Sequence, residues 1–174
     1  MDLGGGGSQR DRYFEEVSAG YRASLDRLAR AYEAQPEECR DLIQDIYLAL
    51  WSSLEKFDGR CSLRTWVYRV AHNVGASHVR RRTKERFVSL EEMEVVSPEA
   101  ETDRHQAVHR DRLYALIRRL HPLDRQMLLL YLEGFDAASI GEVMGVSPGN
   151  IAIKVHRIKN VLTRRFKEGP FHAK

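Results

Sequence analysis

The sequence predicts an all-α fold with two small helical domains, joined by an acidic flexible linker, the second ending in a helix-turn-helix. Two observations indicate helices. Charged residues make up 30% of the 174 residues and only five are proline, a composition that favours amphipathic helices. No run of alternating β-branched residues is long enough to indicate a sheet. A third observation divides the chain, because residues 83–106 lack apolar periodicity, are acidic and contain a Ser-Pro pair.

These patterns set the expected boundaries of the domains. We expect a flexible N-terminal tail over residues 1–10, a first domain over 11–82 and the acidic linker over 83–106. A second domain then covers 107–168, and a C-terminal tail covers 169–174. The tail includes GGGGS, which has the composition of an engineered linker, and the sequence leaves open whether it is native.

The first domain has the apolar pattern of three helices. The first is expected from about Asp11 to Tyr32, and the second begins near Pro36. A turn at 57–60 precedes a third helix, which Ser62 is placed to cap. We expect this helix to break or bend at 73–75, since glycine costs about 1 kcal/mol inside a helix. The inward positions of the second and third helices are Leu42, Ile43, Ile46, Tyr47, Leu50, Leu54, Leu63, Trp66, Val67 and Val70.

The second domain carries the most informative stretch, residues 136–165. After helices expected at 107–120 and 123–133, Asp136 is placed to cap one short helix, and Gly145 supplies a turn. Ser147 is placed to cap a second helix that has Pro148 at its first position. Ile151, Val155, Ile158 and Leu162 follow the helical period and should be buried. This pattern is typical of a helix-turn-helix, whose second helix enters a DNA major groove. An ordinary amphipathic helix pair with a solvated basic face is the alternative.

Charge is distributed in blocks rather than evenly. Residues 60–86 carry eight basic side chains against one acid, and residues 87–103 carry six acids and no base. The segment after Ser147 contains seven basic residues and one acid. Two basic blocks separated by an acidic strip predict two contacts with a polyanion and a connector kept away from it.

Several other classes of protein find little support. No apolar stretch is long enough to cross a membrane and no signal peptide is visible, so we expect a cytoplasmic protein without membrane insertion. Cys39 and Cys61 are too few for a disulfide framework or a four-ligand zinc site, and we expect reduced thiols. His105 and His109 share a helix face but lack a carboxylate or cysteine partner. We therefore predict no catalytic residue, no metal and no cofactor.

Two long segments together resemble a known family. The first is DLIQDIYLALWSSLEKFDGRCSLRTWVYRVAHNVGASHVRRR (41–82), and the second is LHPLDRQMLLLYLEGFDAASIGEVMGVSPGNIAIKVHRIKN (120–160). Both are similar, in order and spacing, to the motifs of extracytoplasmic-function sigma factors of bacterial RNA polymerase. The resemblance covers about residues 11–166. It implies a factor that binds core polymerase and directs transcription initiation at a specialised set of promoters.

The resemblance gives each surface an expected partner. One face of the second helix would bind the clamp helices of the polymerase β′ subunit, and a plain solvated face is the alternative. The face consists of Asp41, Gln44, Asp45 and Leu48. The second domain would contact the β flap, and the linker would either follow the RNA path of polymerase or serve as a tether. The resemblance also implies an anti-sigma protein as a partner.

Promoter DNA is the other partner that the resemblance implies. The third helix and a loop at 73–77 would open and recognise the minus-ten element, with Asn73 able to donate to and accept from an unstacked base. The residues expected at that element are Arg69, Asn73, Ser77, Arg80, Arg81 and Arg82, the arginines holding phosphates. The minus-thirty-five element would contact Pro148, Gly149, Asn150, Ile153, Lys154 and Arg157 on the recognition helix.

The sequence departs from the family pattern at positions that bear on specificity. Gly141 replaces the usual alanine, and we expect it to weaken the first helix of the motif. Asn150, Ile153 and Lys154 stand where Thr, Ser and Arg are frequent, and Ser77 stands where Asp is common. The promoter sequence therefore cannot be transferred from relatives. A helix-turn-helix regulator that acts without polymerase is the alternative function.

Overall fold

The computed structural model describes residues 8–82 and 105–167, and within these ranges every regular element is an α-helix, as predicted. Most of the expected linker, residues 83–104, and both expected tails except residues 8–10 lie outside the described ranges. The helices are α1 Gln9–Gly20, α2 Arg22–Tyr32, α3 Pro36–Leu54, α4 Leu63–Arg82, α5 His105–Arg119, α6 Pro122–Leu132, α7 Ala137–Met144 and α8 Pro148–Lys167.

The expected first helix is two helices, so that prediction was wrong. α1 begins with a capping box in which Ser8 and Asp11 each accept from the other's backbone N–H. It ends at Gly20, a weak helix former, and Tyr21 leaves the helical conformation with φ −114° and ψ 0°. The Tyr21 ring then packs edge-on against Tyr68, with 6.2 Å between ring centroids.

The second predicted helix is confirmed as α3, which has Pro36 at its start and buries Leu42, Ile46, Leu50 and Leu54. Ile43 and Tyr47 are half-buried. The turn that follows places Gly59 at φ 77°, a conformation that favours glycine. Ser62 Oγ then accepts from the Thr65 N–H at 3.0 Å, as its predicted capping role requires. On α4 Val67 is fully buried, whereas Leu63, Trp66 and Val70 are half-buried.

α4 does not break at residues 73–75, and the loop expected at 73–77 is helix. The glycine that suggested a break lies where α4 crosses α2. A Cβ atom on Gly75 would come within 2.8 Å of the Tyr32 ring, so glycine permits the close approach of the two helices. The packing that this approach allows outweighs the weak helix propensity of glycine.

The predicted helix-turn-helix is confirmed in α7 and α8. Asp136 Oδ1 accepts from the Ser139 N–H at 2.8 Å, and Gly145 ends α7 in the left-handed conformation at φ 70°. The four residues of α8 predicted to be buried are all buried. Gly141 has a structural role that the sequence did not indicate. A Cβ there would lie 2.6 Å from the Val146 carbonyl oxygen, so this glycine lets the turn fold back on α7.

The two halves of the chain pack against each other. α2 contacts α5, and α4 contacts both α6 and α7. Arg125 of α6 is 2% exposed, and its guanidinium lies 5.3 Å from the centre of the Tyr32 ring. The described residues therefore form one packed body in which helices of the N-terminal half cover part of the helix-turn-helix half.

Candidate nucleic-acid interface

The recognition helix presents all six predicted contacts to solvent on its outer side. Pro148, Gly149, Asn150, Ile153, Lys154 and Arg157 are all exposed, opposite the buried stripe of α8. Ile153 is 70% exposed, which is unusual for a large apolar side chain and suits contact with a thymine methyl group. Lys154 Nζ lies 3.5 Å from Asp124 Oδ1, so its ammonium group is held at the edge of this face.

On α4 four of the predicted minus-ten residues follow one another at helical spacing. Arg69, Asn73, Ser77 and Arg80 are three or four positions apart, a spacing that places them along one face of a continuous helix. Asn73 and Arg80 are exposed, and Arg80 donates to Ser77 Oγ at 2.8 Å. Arg69 is half-buried because it donates to the backbone oxygen of Glu142 on α7 at 2.7 Å.

The other two arginines of that set are engaged by acidic residues of the N-terminal half. Arg82 Nη1 contacts Glu33 Oε2 at 2.9 Å and Glu38 Oε2 at 2.8 Å. Arg81 Nη2 lies 3.7 Å from Asp45 Oδ2. The structure therefore separates Arg80, whose charge faces solvent, from Arg82, which ties the end of α4 to the start of α3.

Glu33 was not identified from the sequence, although it organises this end of α4. Its carboxylate also accepts from His78 Nε2 at 2.9 Å and from the backbone N–H groups of Ala34 and Gln35 at 2.8 Å. Burial by itself raises the pKa of Glu33, but these hydrogen bonds and Arg82 outweigh it and lower the pKa. The carboxylate therefore stays ionised and anchors α4 through two basic side chains.

The α3 face predicted to bind polymerase is accessible. Asp41, Gln44, Asp45 and Leu48 are all exposed, and their spacing places them on one side of the helix. Leu48 is 65% exposed between polar neighbours. An exposed leucine beside carboxylates is a surface suited to a partner that offers both apolar and basic groups.

Glu133, at the end of α6, is a second residue that sequence reasoning missed. It accepts hydrogen bonds from Ser24, Arg27 and Tyr68, all at 2.9 Å, and these donors lie on α2 and α4. Burial by itself raises the pKa of Glu133, but the bonds from Arg27, Tyr68 and Ser24 outweigh it and lower the pKa. No short-range pattern could have indicated these partners, which are 65 to 109 positions away in the chain.

Other candidate sites gain no support from the geometry. Within residues 8–82 and 105–167 no three His, Cys, Asp or Glu side chains are grouped to hold a metal ion. The His109 ring packs edge-on against Phe166, and the side chain of His105 lies outside the described residues. Cys39 is buried and Cys61 half-buried, and burial raises the pKa of the Cys39 thiol. In the described part of the chain no helix is long and apolar enough to span a membrane.

Comparison with known proteins matches both halves of the chain. The family model for sigma-70 region 2 matches residues 19–85, and the model for sigma-70 region 4 matches residues 110–162. The RNA polymerase sigma factor YlaC of Bacillus subtilis is 27% identical over 128 residues, which cover 71% of this chain and 74% of YlaC. The ECF RNA polymerase sigma factor SigW of the same organism is 21% identical over 170 residues, 89% of each chain.

Two solved structures share the fold. One is CnrH in complex with the cytosolic domain of CnrY, with a TM-score of 0.67 and 18% identity, covering 90% of this chain and 89% of that one. The other is the sigma factor RpoE of Bartonella quintana in complex with the anti-sigma factor NepR, with a TM-score of 0.66 and 20% identity, covering 91% and 98%. These structures show the shared fold. The matches to sigma-70 regions 2 and 4, together with relatives such as SigW, confirm the resemblance found in the sequence: the chain belongs to the extracytoplasmic-function group of the sigma-70 family of RNA polymerase sigma factors.

Proposed function

We propose that this sigma factor binds core polymerase through α3 and directs transcription initiation at a specialised set of promoters. The observation that carries the proposal is the exposure of three separate faces that match the family's expected contacts. These are the α3 face with Asp45, the α4 face with Asn73 and the α8 face with Lys154. A factor that recognised DNA alone would need only the last of these.

In this proposal the α3 face contacts the clamp helices of β′ and the second domain contacts the β flap. Asp41 and Asp45 supply charge complementarity to basic side chains, and Leu48 supplies the apolar contact. We propose that the two domains cover residues 11–82 and 107–168, as expected from the sequence. In this proposal the chain provides binding surfaces, and the chemistry of RNA synthesis belongs to polymerase.

Recognition of DNA is divided between α4 and α8. Asn73 would hold an unstacked base of the minus-ten element, and Arg69 and Arg80 would contact phosphates. Arg81 and Arg82 would add to the positive potential of that surface while remaining bonded to acidic residues. On α8 the exposed side chains would recognise base edges of the minus-thirty-five element.

An anti-sigma protein is a further proposed partner. The solved structure of CnrH contains the cytosolic domain of CnrY, and that of RpoE contains the anti-sigma factor NepR. Their folds match most of this chain, and we propose that a comparable protein binds this factor. The proposed partner would compete with core polymerase for the α3 face.

A charge reversal on α3 tests the proposal. Asp45→Arg places a positive charge on the proposed clamp-helix contact and beside Arg81, so we expect it to abolish co-elution with core polymerase. Glu15→Arg is the matched control, because it reverses an exposed carboxylate on α1, a different helix from the proposed face. Circular dichroism should show the same helix content for both. Normal polymerase binding by the folded Asp45 variant would exclude this face as the contact.

A further inference from the structure

We propose that Glu133 is an interdomain latch that holds the free protein in a closed form, which must open before both promoter elements can be occupied. The inference rests on the proposed recognition of two elements by α4 and α8. The proposed latch consists of the Glu133 carboxylate and its partners Ser24, Arg27 and Tyr68.

The latch joins the two halves of the chain at a single acidic side chain. Arg27 donates to both Glu133 oxygens at 2.9 Å, and Tyr68 and Ser24 each donate to Oε2 at the same distance. Arg64 of α4 donates to the Glu133 backbone oxygen. All these donors belong to α2 or α4, whereas Glu133 follows α6. Removing the Glu133 carboxylate therefore removes bonds between the two halves of the chain. Its bonds in the described structure are all to the N-terminal half, so no bond within the C-terminal half is lost.

Apolar and cation–π contacts surround the latch and extend the interface. Phe135 is 6% exposed, and its ring packs edge-on against Tyr68 at 5.0 Å between centroids. The Arg64 guanidinium lies 4.1 Å from the centre of the Phe135 ring. Arg118 of α5 donates to the Arg30 backbone oxygen of α2 at 2.8 Å. The interface thus spans α2 and α4 on one side and α5 to α7 on the other.

The closed form is too compact for both promoter elements. Elements centred near positions minus ten and minus thirty-five are about 25 base pairs apart, which is about 85 Å at 3.4 Å per base pair. Here Arg69 of α4 bonds directly to the backbone of α7, and α8 with 20 residues is about 30 Å long. Neither end of α8 can therefore lie near 85 Å from α4 while this interface holds.

The closed form also occupies one of the proposed DNA contacts. The Arg69 guanidinium that would hold a phosphate of the minus-ten element instead donates to the Glu142 backbone oxygen. The α8 face remains exposed in the same form. The free protein therefore keeps one element-binding face available and the other partly covered, and opening releases Arg69.

The closed form lowers the apparent affinity for any partner that needs the open form. If the open fraction is small, the apparent dissociation constant is the intrinsic constant divided by that fraction. The bonds of Glu133 are charge-assisted but Arg27 is 51% exposed, so the latch is of moderate strength. We expect Glu133→Gln to raise the apparent affinity for core polymerase by about 3- to 10-fold.

The test compares three variants of the full chain with the wild type. Glu133→Arg brings a positive charge against Arg27 and Arg64, and Glu133→Gln removes only the charge. Glu142→Gln is the matched control, since Arg69 contacts the backbone of Glu142 and the side chain is exposed. Small-angle X-ray scattering measures the radius of gyration, circular dichroism checks helix content, and titration with core polymerase gives the dissociation constants.

We expect the wild type and Glu142→Gln to have the same small radius of gyration. Glu133→Arg should have a larger radius with unchanged helix content, and Glu133→Gln should bind polymerase more tightly than the wild type. A wild type already as extended as Glu133→Arg, or a Glu133→Arg protein as compact as the wild type, would overturn the latch. Unchanged or weaker binding of polymerase by an expanded variant would overturn the need for opening. If no form binds polymerase, the proposed function fails, and scattering alone decides the latch.

Discussion

Gly75 of α4 lies against the ring of Tyr32 of α2, so close that an added Cβ would be 2.8 Å from Cδ2 of that ring. The Tyr32 hydroxyl in turn hydrogen-bonds Nδ1 of His72 at 3.0 Å, one turn earlier on α4. Both Tyr32 and His72 are buried. The crossing of α2 and α4 therefore depends on the absence of a side chain at residue 75, and α4 carries the proposed minus-ten contacts.

Substituting Gly75 by alanine should destabilise the protein. The extra methyl group would force the Tyr32 ring to move, a cost of about 1–3 kcal/mol that exceeds the gain of up to about 1 kcal/mol in helix propensity. Urea unfolding followed by circular dichroism measures the change. Gly20→Ala is the control, because a Cβ at Gly20 meets nothing within 4 Å. If the Gly75 variant were as stable as the control, the Tyr32 ring would have moved without a measurable cost in free energy.

In the helix-turn-helix, Gly141→Ala should be more damaging than Gly149→Ala. A Cβ at Gly141 would lie 2.6 Å from the Val146 carbonyl oxygen, so the turn between α7 and α8 must shift. A Cβ at Gly149 meets nothing within 4 Å. We expect Gly141→Ala to lower the free energy of unfolding by about 1–3 kcal/mol and to weaken DNA binding. Unchanged stability of Gly141→Ala would contradict the close turn.

Acid should destabilise the fold through His72. Burial lowers the pKa of His72 from its ordinary 6.5 to about 3 in the folded protein. The unfolded chain therefore takes up a proton first, so stability is complete above pH 6.5 and falls as the pH decreases towards 3. The slope is at most about 1.4 kcal/mol per pH unit for one such group.

Unfolding by urea between pH 7 and pH 5 measures this dependence with little contribution from the carboxylates. His72→Gln is the comparison, because its amide oxygen can accept from the Tyr32 hydroxyl and does not titrate. We expect the free energy of unfolding of this variant to vary less over the same range. Equal pH dependence in both proteins would show that His72 is not the group responsible.

Lys154→Ala should alter the choice of promoter without altering association with polymerase. Lys154 is exposed on the outer face of α8, where a contact to a base edge is worth about 1–3 kcal/mol. Lys159 of the same helix donates to the Tyr131 hydroxyl at 2.9 Å, so Lys159→Ala is a matched loss of charge away from the proposed contacts. Selection from a library of randomised promoters should give a changed minus-thirty-five preference only for Lys154→Ala. The same preference in both would remove Lys154 from base recognition.

The sequence predicted those features that depend on local patterns. The caps at Ser62 and Asp136, the turn at Gly145 and the buried stripe of α8 each follow from a few neighbouring residues, and the structure confirms them. Exposure of the predicted contact faces on α3 and α8 follows in the same way, since burying one side of an amphipathic helix exposes the other. Their roles in binding remain predictions.

The features that the sequence did not indicate depend on contacts between distant residues. Gly75 looked like a helix breaker because its partner Tyr32 is 43 positions earlier. Gly141 was expected only to weaken its helix, because the sequence does not show that the Val146 carbonyl oxygen lies against it. Glu33 and Glu133 each bind side chains from other helices, and no spacing along the chain marks them. Helix propensity alone therefore predicted the wrong structural role for both glycines. The charge pattern did not indicate that either carboxylate bonds residues of other helices.

The most direct test of the central claim is run-off transcription with purified core polymerase and fragmented genomic DNA of the source organism, with and without this protein. The account predicts discrete new transcripts that require the protein, that disappear with Asp45→Arg and that persist with Glu15→Arg. The absence of such transcripts, together with failure to co-elute with core polymerase, would contradict the account and favour a DNA-binding regulator that acts without polymerase.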